Sequence, residues 1–338
     1  MGLKESITLL PIPIKIVGLG RYLPERIVRN DEVERLCGLK SGWIKRWSGV
    51  EERRWITDET SSFMGAEAAK EAVKQASLTL TDLDLIINAS GTPEQAIPDG
   101  AALIQRQLGL GDSGISCFTT HATCLSFLVA LDLSSTLLLS ERYTKILIVS
   151  SDVGSAALNF NEPESASLMG DGAGAVVVTR PHADEVSCIH TARLETYGEG
   201  AELTVIRGGG SRRHPHNPLT QPEDNLFHME GTNLLRTVRK YGAGFLERFY
   251  PGLSSSLVDI DLVIPHQASL AALRSLRHFG WSADKMVWTL PRLGNCIAAS
   301  LPLTLYEAVQ QNRLQRGDKI LLIGTGAGLS FGGLVLTY

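Results

Sequence analysis

Asp82-Leu83-Asp84-Leu85-Ile86-Ile87 reappears, little changed, as Asp259-Ile260-Asp261-Leu262-Val263-Ile264. A second aliphatic stretch follows each copy: Lys145-Ile146-Leu147-Ile148-Val149 stands 61 residues after Asp84, and Lys319-Ile320-Leu321-Leu322-Ile323 stands 58 residues after Asp261. All four are short apolar runs bounded by polar residues, the pattern of strands buried on both faces. Between the two strands of each pair lies an apolar segment of helical length, Cys124 to Leu139 in the first half and Ile297 to Ala308 in the second. The same order at near-equal spacing reads as an internal duplication. Alternating strands and helices predict an α/β chain with mixed or parallel sheets and helices on both faces.

A chain of 338 residues suits two such halves. The boundary is expected near Arg180-Pro181, giving halves of 1–180 and 181–338 that pack as one unit. Residues 1–12 read as a loosely held extension. Pro11 and Pro13 break the apolar run 7–14, so it is not the helical core of a signal peptide. Residues 208–225, rich in Gly, Pro, His and Arg, read as a long surface loop, and such loops are often functional.

The composition, 43% hydrophobic and 20% charged, is that of a globular protein with a large core. A net charge of −4 argues against general affinity for nucleic acid or for an anionic membrane. No apolar run has the length of a membrane span. Five cysteines, an odd number with no Cys-x-x-Cys pair, read as reduced thiols of a cytoplasmic protein. No spacing suits a metal site; His214 and His216 share a loop but have no nearby partner.

Cys124 opens the strongly apolar run Leu125–Leu131. A cysteine at a helix N-terminus is favoured as thiolate, the reactive form, by unpaired amides and the helix dipole. The competing reading is a buried small hydrophobe. His266 follows the strand Leu262–Ile264, and Asn295 stands ahead of another apolar helix. Both fall at strand or loop ends next to helix starts, where side chains meet at the edge of an α/β sheet. Taken singly, the histidine also reads as structural and the asparagine as an N-cap. Gly324-Thr325-Gly326-Ala327-Gly328 reads either as a tight turn or as a backbone amide aimed at a reacting oxygen. A strand follows it, so it is not a dinucleotide fingerprint. Gly170–Gly174 reads as structural.

Taken together these segments resemble the ketoacyl-acyl-carrier-protein synthase III (FabH-like) family of initiation condensing enzymes over residues 14–338. The resemblance rests on Gly18–Glu25, Ser48–Arg53, Gly170–Gly174, Pro265-His266-Gln267-Ala268, Gly294-Asn295 and the terminal glycine turn. It implies a thiolase fold of two duplicated halves, and a homodimer. It also implies Cys124 as nucleophile and His266 and Asn295 as the decarboxylation pair, with the backbone amides of Cys124 and Ala327 as oxyanion hole. The implied substrates are acyl-CoA (or an acyl carrier-protein thioester) and malonyl-ACP, with no cofactor beyond the coenzyme A thioester itself. Trp43 matches the ring that stacks on the coenzyme A adenine. Arg236, with Arg239 and Lys240 at helical spacing, forms a basic face for an acidic carrier protein or coenzyme A phosphates.

The pattern also departs from the family. Leu125-Ser126 stands where initiation enzymes usually have Ala-Gly, and Ile97 replaces an aromatic that reaches into the partner's acyl channel. Pro163, Thr325 and Ala271 replace an arginine, a phenylalanine and an arginine. These departures imply a specialised paralogue with a different acyl donor. Two other readings stand beside this one: an acyltransferase of the same fold without decarboxylation, and a subunit of a heterodimeric condensing enzyme. Non-catalytic subunits commonly lose the Cys, His or Asn, and this chain retains all three.

Overall fold

The alternation of side chains along the duplicated strands decides the layering. In a computed structural model describing residues 11–257 and 259–338, Leu85 and Ile87 point into one core while Ile86 points into another. In the second half Ile320 and Leu322 share the core of Leu85, and Leu321 and Ile323 face a third. Period-two alternation thus places apolar side chains on both faces of each strand. Both sheets therefore need cover on both sides.

In chain order the sheet strands are β1 (Ile12–Pro13), β2 (Lys15–Tyr22), β3 (Leu85–Asn88), β4 (Ser116–Thr119), β5 (Lys145–Val153), β6 (Asp171–Thr179), β7 (Cys188–Thr196), β8 (Leu262–Pro265), β9 (Lys319–Gly326) and β10 (Ser330–Thr337). The helices that matter here are α1 (Trp43–Trp47), α2 (Ser61–Gln75), α3 (Ser126–Leu139), α4 (Gly231–Phe249) and α5 (Ser300–Gln310). One sheet has the order β2-β6-β5-β3-β4 and the other β1-β7-β10-β9-β8. The pairs β3–β5 and β8–β9 are parallel, in matching registers of Leu85 on Ile146 and Leu262 on Ile320. The repeat extends to the polar edge: Asp84 accepts from the amide of Lys145 at 3.2 Å, and Asp261 from that of Lys319 at 2.8 Å.

α3 and α5 are apolar on nearly every side because they lie between the two sheets, in the largest core. α2 covers the outer face of the first sheet and α4 that of the second. The result is a five-layer α/β/α/β/α thiolase fold. The halves are tied by Arg21 with Glu307, by Tyr306 Oη donating to Glu71 at 2.7 Å, and by Arg316 donating to the Ile16 carbonyl at 2.7 Å.

Two details differ from the expected plan. The N-terminal extension ends sooner than residue 12, because Ile12 and Pro13 pair with Ile189 and Cys188 and add an edge strand to the second sheet. Ile12 and Pro13, which come from the first half, thus belong to the other half's sheet; residues 1–10 lie outside the described residues. At the opposite edge the counterpart of β4 is reduced to one bridge, Val263 to Met286.

Candidate active site

Cys124 is set by a sharp elbow. After β4 the chain turns through Thr123, whose φ is 51°, into a short 3-10 turn, Thr123–Leu125, and then α3. Ser126 holds the elbow: its hydroxyl accepts from the amide of Ala122 at 2.9 Å and donates to the carbonyl of Thr123 at 2.7 Å. The buried Leu125 packs against Gly324, Gly326 and Gly332 of the β9–β10 hairpin. Leu125 and Ser126, the two departures that follow the cysteine, thus both help to hold the elbow.

The backbone amides of Cys124 and Ala327 both favour an anion at the Cys124 sulfur. The hairpin carrying Ala327 also accepts a bond at its carbonyl from Thr123 Oγ1, at 3.4 Å. A thiolate was expected here, and the resting group is instead a thiol. Burial and the neighbouring Asp152 push it up to about 12, outweighing the two amides that favour the anion.

His266 leaves the end of β8, where its amide donates to the Ile323 carbonyl at 2.8 Å. Its ring is 5% exposed, and Nδ1 is buried with no hydrogen-bond partner among the described residues. Burial pushes the imidazole down to about 4, so it is neutral at pH 7. Gln267, fully buried, explains how the loop is held. Its Nε2 donates to the carbonyls of Pro265 and Val287 at 2.8 and 3.1 Å, and its Oε1 accepts from the amides of Thr289 and Leu290, both at 3.0 Å. The helix that follows His266 starts at Leu270, where Ser269 caps it by accepting from the Ala272 amide.

Asn295 makes a local side-chain bond at the start of the short turn Ile297–Ala299. Its Oδ1 accepts from the amide of Ile297 at 2.9 Å, as a capping side chain does. That bond orients the carboxamide so that Nδ2 is the free donor end, with one bond to the Ala268 carbonyl at 3.3 Å. Ala268 lies two residues from His266, so the two loops are joined through this contact. Below, the Gly170 amide donates to the Asn295 carbonyl at 3.1 Å, and the Leu293 carbonyl occupies the place of any side chain on Gly170. The Gly170–Gly174 run is thus a close-packing feature.

The remaining sequence candidates lie around this centre. Trp43 is half-buried on α1, its ring 6.3 Å from that of the 64% exposed Trp47. Ile97 is 87% exposed in the single chain. Arg236 is exposed on α4 and donates to Asn233 at 2.9 Å. One turn further along α4, Lys240 pairs with Glu199; in the preceding loop Arg207 pairs with Glu202 and Arg213 with Asp224.

Three residues of the site carried no assigned role in the sequence reading. Gln267 was visible only as part of a motif. Arg53, buried under the Gly294 turn, donates to Asn30 Oδ1 and to the Ser167 carbonyl, both at 2.8 Å, and burial pushes it down to about 10. Asp152, at the end of β5, is fully buried and pushed up to about 6 by that burial despite its hydrogen bonds. The signal for it was a carboxylate closing an aliphatic strand at the carboxyl edge of the sheet.

The comparisons with known proteins agree with this geometry. Residues 118–198 match the profile of 3-oxoacyl-[acyl-carrier-protein] synthase III, and residues 254–338 that of the same family's C-terminal region. The chain is 32% identical to the beta-ketoacyl-[acyl-carrier-protein] synthase III of Syntrophomonas wolfei, covering 96% of this chain and 97% of that one. The crystal structure of the Aquifex aeolicus 3-oxoacyl-[acyl-carrier-protein] synthase III is similar at a TM-score of 0.83 and 32% identity, over 96% of this chain and 100% of that one. The Pseudomonas aeruginosa structure is similar at 0.85 and 26%, over 96% and 98%. With the duplicated fold and the elbow, these place the chain in the beta-ketoacyl-[acyl-carrier-protein] synthase III family of acyl-transferring condensing enzymes.

Proposed function

We propose that this chain catalyses a decarboxylative Claisen condensation, with Cys124 acylated by an acyl-CoA or acyl carrier-protein thioester and a malonyl thioester as extender. The observation that carries the reading is that the backbone amides of Cys124 and Ala327 favour an anion at the Cys124 sulfur, while the neutral, buried His266 and Leu125, the residue after the nucleophile, pack against the same Gly324.

In the first half-reaction the Cys124 thiol gives its proton to the neutral His266 as sulfur attacks the thioester carbon. A thiol held near 12 is not a standing thiolate, so deprotonation accompanies attack. The amides of Cys124 and Ala327 receive the tetrahedral oxyanion. The carrier thiolate leaves with the proton from His266.

In the second, the malonyl carbon–carboxylate bond breaks and carbon dioxide departs with its electron pair left on the thioester enolate. That oxygen needs donors rather than a base, and His266 and Asn295 Nδ2 supply them. The enolate carbon attacks the acyl-cysteine carbonyl, a carbon–carbon bond forms, the carbon–sulfur bond breaks, and the Cys124 thiolate takes up one proton from solvent. The product is a ketoacyl thioester.

The exposed Ile97 and the edge strand β4 support a second copy as partner, with Ile97 reaching toward its neighbour's acyl channel. Arg236 and Arg239, which have no ion pair among the described residues, suit an acidic carrier protein such as the one named for the relatives. The departures at Leu125, Ser126 and Ile97 support an acyl donor other than acetyl. Intact-mass measurement after incubation with a panel of acyl thioesters, followed by malonyl-ACP, tests the whole scheme. An acyl-enzyme that passes its group to a hydroxyl or amine, and never condenses with malonyl-ACP, would overturn it.

A further inference from the structure

Asp152 is fully buried, has no cation paired with it among the described residues, and lies outside the catalytic roles assigned above. Ionised groups are rarely left so, because desolvation costs far more than ordinary hydrogen bonds return. Its carboxylate is nonetheless fully engaged. Oδ1 accepts from the amides of Gly91 and Thr92, both at 2.8 Å, and from Thr92 Oγ1 at 2.9 Å. Oδ2 accepts from the amide of Ala299 at 3.0 Å.

The partners come from two elements that would otherwise be independent. Gly91 and Thr92 follow β3 in the first half, while Ala299 closes the short turn Ile297–Ala299 that opens α5 in the second. Between them stands Ile297, a β-branched residue with φ of 52°. Such a residue is strained in the left-handed region, and the conformation persists only where its surroundings over-determine it. Ile297 Cγ2 fills the place beside Gly91 where a Cβ would stand, 2.5 Å away. Asp152 thus grips the loop on one side of Ile297 and the helix start on the other. The amide of Ile297 is the group that orients Asn295 through Oδ1.

The duplication sharpens the point. Counting along the paired strands from Lys145 and Lys319, Asp152 falls on Gly326, which has no side chain to offer. Thr123 and Leu125 of the opposite elbow fill the space beside Gly326. Of the two helix starts, the carboxylate is hydrogen-bonded to the one that follows Asn295, and it reaches the Cys124 elbow through its charge.

We propose that Asp152 is a positioning residue for the decarboxylation half-reaction, acting on Asn295 through Ala299 and Ile297. This rests on the role given to Asn295 above. In Asp152→Asn the amide oxygen can keep the Gly91 and Thr92 donors, but its NH2 then faces the Ala299 N–H, donor against donor. The expected result is a 10- to 100-fold fall in carbon dioxide release from malonyl-ACP, with Cys124 acylation, read by intact mass, slowed less than threefold or quickened, since the neutral side chain no longer opposes the thiolate. The double variant Asp152→Asn/Asn295→Ala should be no slower than Asn295→Ala alone. Thr92→Val, which removes one donor and leaves the carboxylate, should shift decarboxylation the same way by a few fold if Asp152→Asn does not fold. Equal loss of both half-reactions, wild-type decarboxylation, or additive losses in the double variant would overturn the proposal. Unimpaired decarboxylation in Asn295→Ala alone would instead overturn the role of Asn295, and this inference with it.

Discussion

Thr123 and Ile297 share one rare backbone conformation, with φ of 51° and 52°, each at the elbow ahead of a buried helix in its own half. A serine three residues further on holds each elbow alike: Ser126 accepts from the Ala122 amide and Ser300 from the Cys296 amide, at 2.9 and 3.1 Å. The same correspondence sets Cys124 against Ala298 and Asn295 against His121. Asn295 donates to the Ala268 carbonyl at 3.3 Å, and His121 Nε2 lies 3.2 Å from the Gly91 carbonyl. One loop conformation is thus used twice, carrying Cys124 in one half and Asn295 in the other.

Cys124→Ser should abolish covalent acylation by every acyl thioester, because the hydroxyl keeps the geometry but is a far weaker nucleophile. Intact-mass spectrometry reads this directly. A mutant that still gains an acyl mass would shift attention to Cys296, which burial and the nearby Asp171 and Asp152 hold well above the usual thiol range.

His266→Ala and Asn295→Ala should each lower malonyl decarboxylation by roughly 100- to 1000-fold, the usual cost of a lost transition-state donor. Acylation of Cys124 should survive better in both, and best in Asn295→Ala, since the asparagine takes no proton. Pre-steady-state measurement of the two half-reactions decides this, and equal losses contradict the division of roles.

His266 and Asp152 should pull stability in opposite directions with pH. His266 is held near 4 against an ordinary 6.5, so between these values the unfolded chain binds a proton that the native chain refuses, and stability falls as pH drops. Asp152 is held near 6 against 3.8, so the native chain takes its proton first, and stability rises as pH drops through that range. Each contributes about 1.4 kcal/mol per pH unit, so over their shared window the two largely cancel. His266→Asn removes one side. From pH 6.5 to 4.5 the variant should gain roughly 2–3 kcal/mol relative to wild type in urea unfolding. Parallel curves would refute the assignment.

Gln267→Leu should destabilise the fold by about 3 kcal/mol or more, because it strands the buried Thr289 and Leu290 amides and two carbonyls. Gln267→Glu keeps the acceptor but turns the donor end against the carbonyls of Pro265 and Val287, and should also lose stability. Denaturant midpoints with an unchanged slope would establish both as stability effects.

Ile97→Phe should depress turnover of long-chain acyl thioesters while sparing acetyl. If the wild-type channel has the space that a ring would fill, each added methylene in the donor contributes roughly 0.8 kcal/mol, about a fourfold preference. Specificity constants across two- to twelve-carbon donors test this, and a clear acetyl optimum in the wild-type enzyme would sink the idea.

The duplication, the strands and the α/β class were legible in the chain itself, because a strand buried on both faces must be a continuous apolar run and the run occurs twice at matched spacing. Cys124, His266 and Asn295 stood out for a related reason: each is a polar residue at the end of such a run. What local pattern did not contain was which partners those residues would meet. The protonation of Cys124 was misjudged from the helix start alone, since the burial and the Asp152 carboxylate that override the dipole come from elsewhere in the chain. Nor did local pattern contain the packing of Leu125 against the hairpin glycines, some 200 residues away. Gln267, Arg53 and Asp152 are ordinary polar residues in sequence, and folding makes them buried. Sequence by itself determined the elements and the chemistry on offer, both set by short-range pattern; tertiary structure alone decided solvation, charge state and orientation, which depend on groups that only the assembled layers bring together.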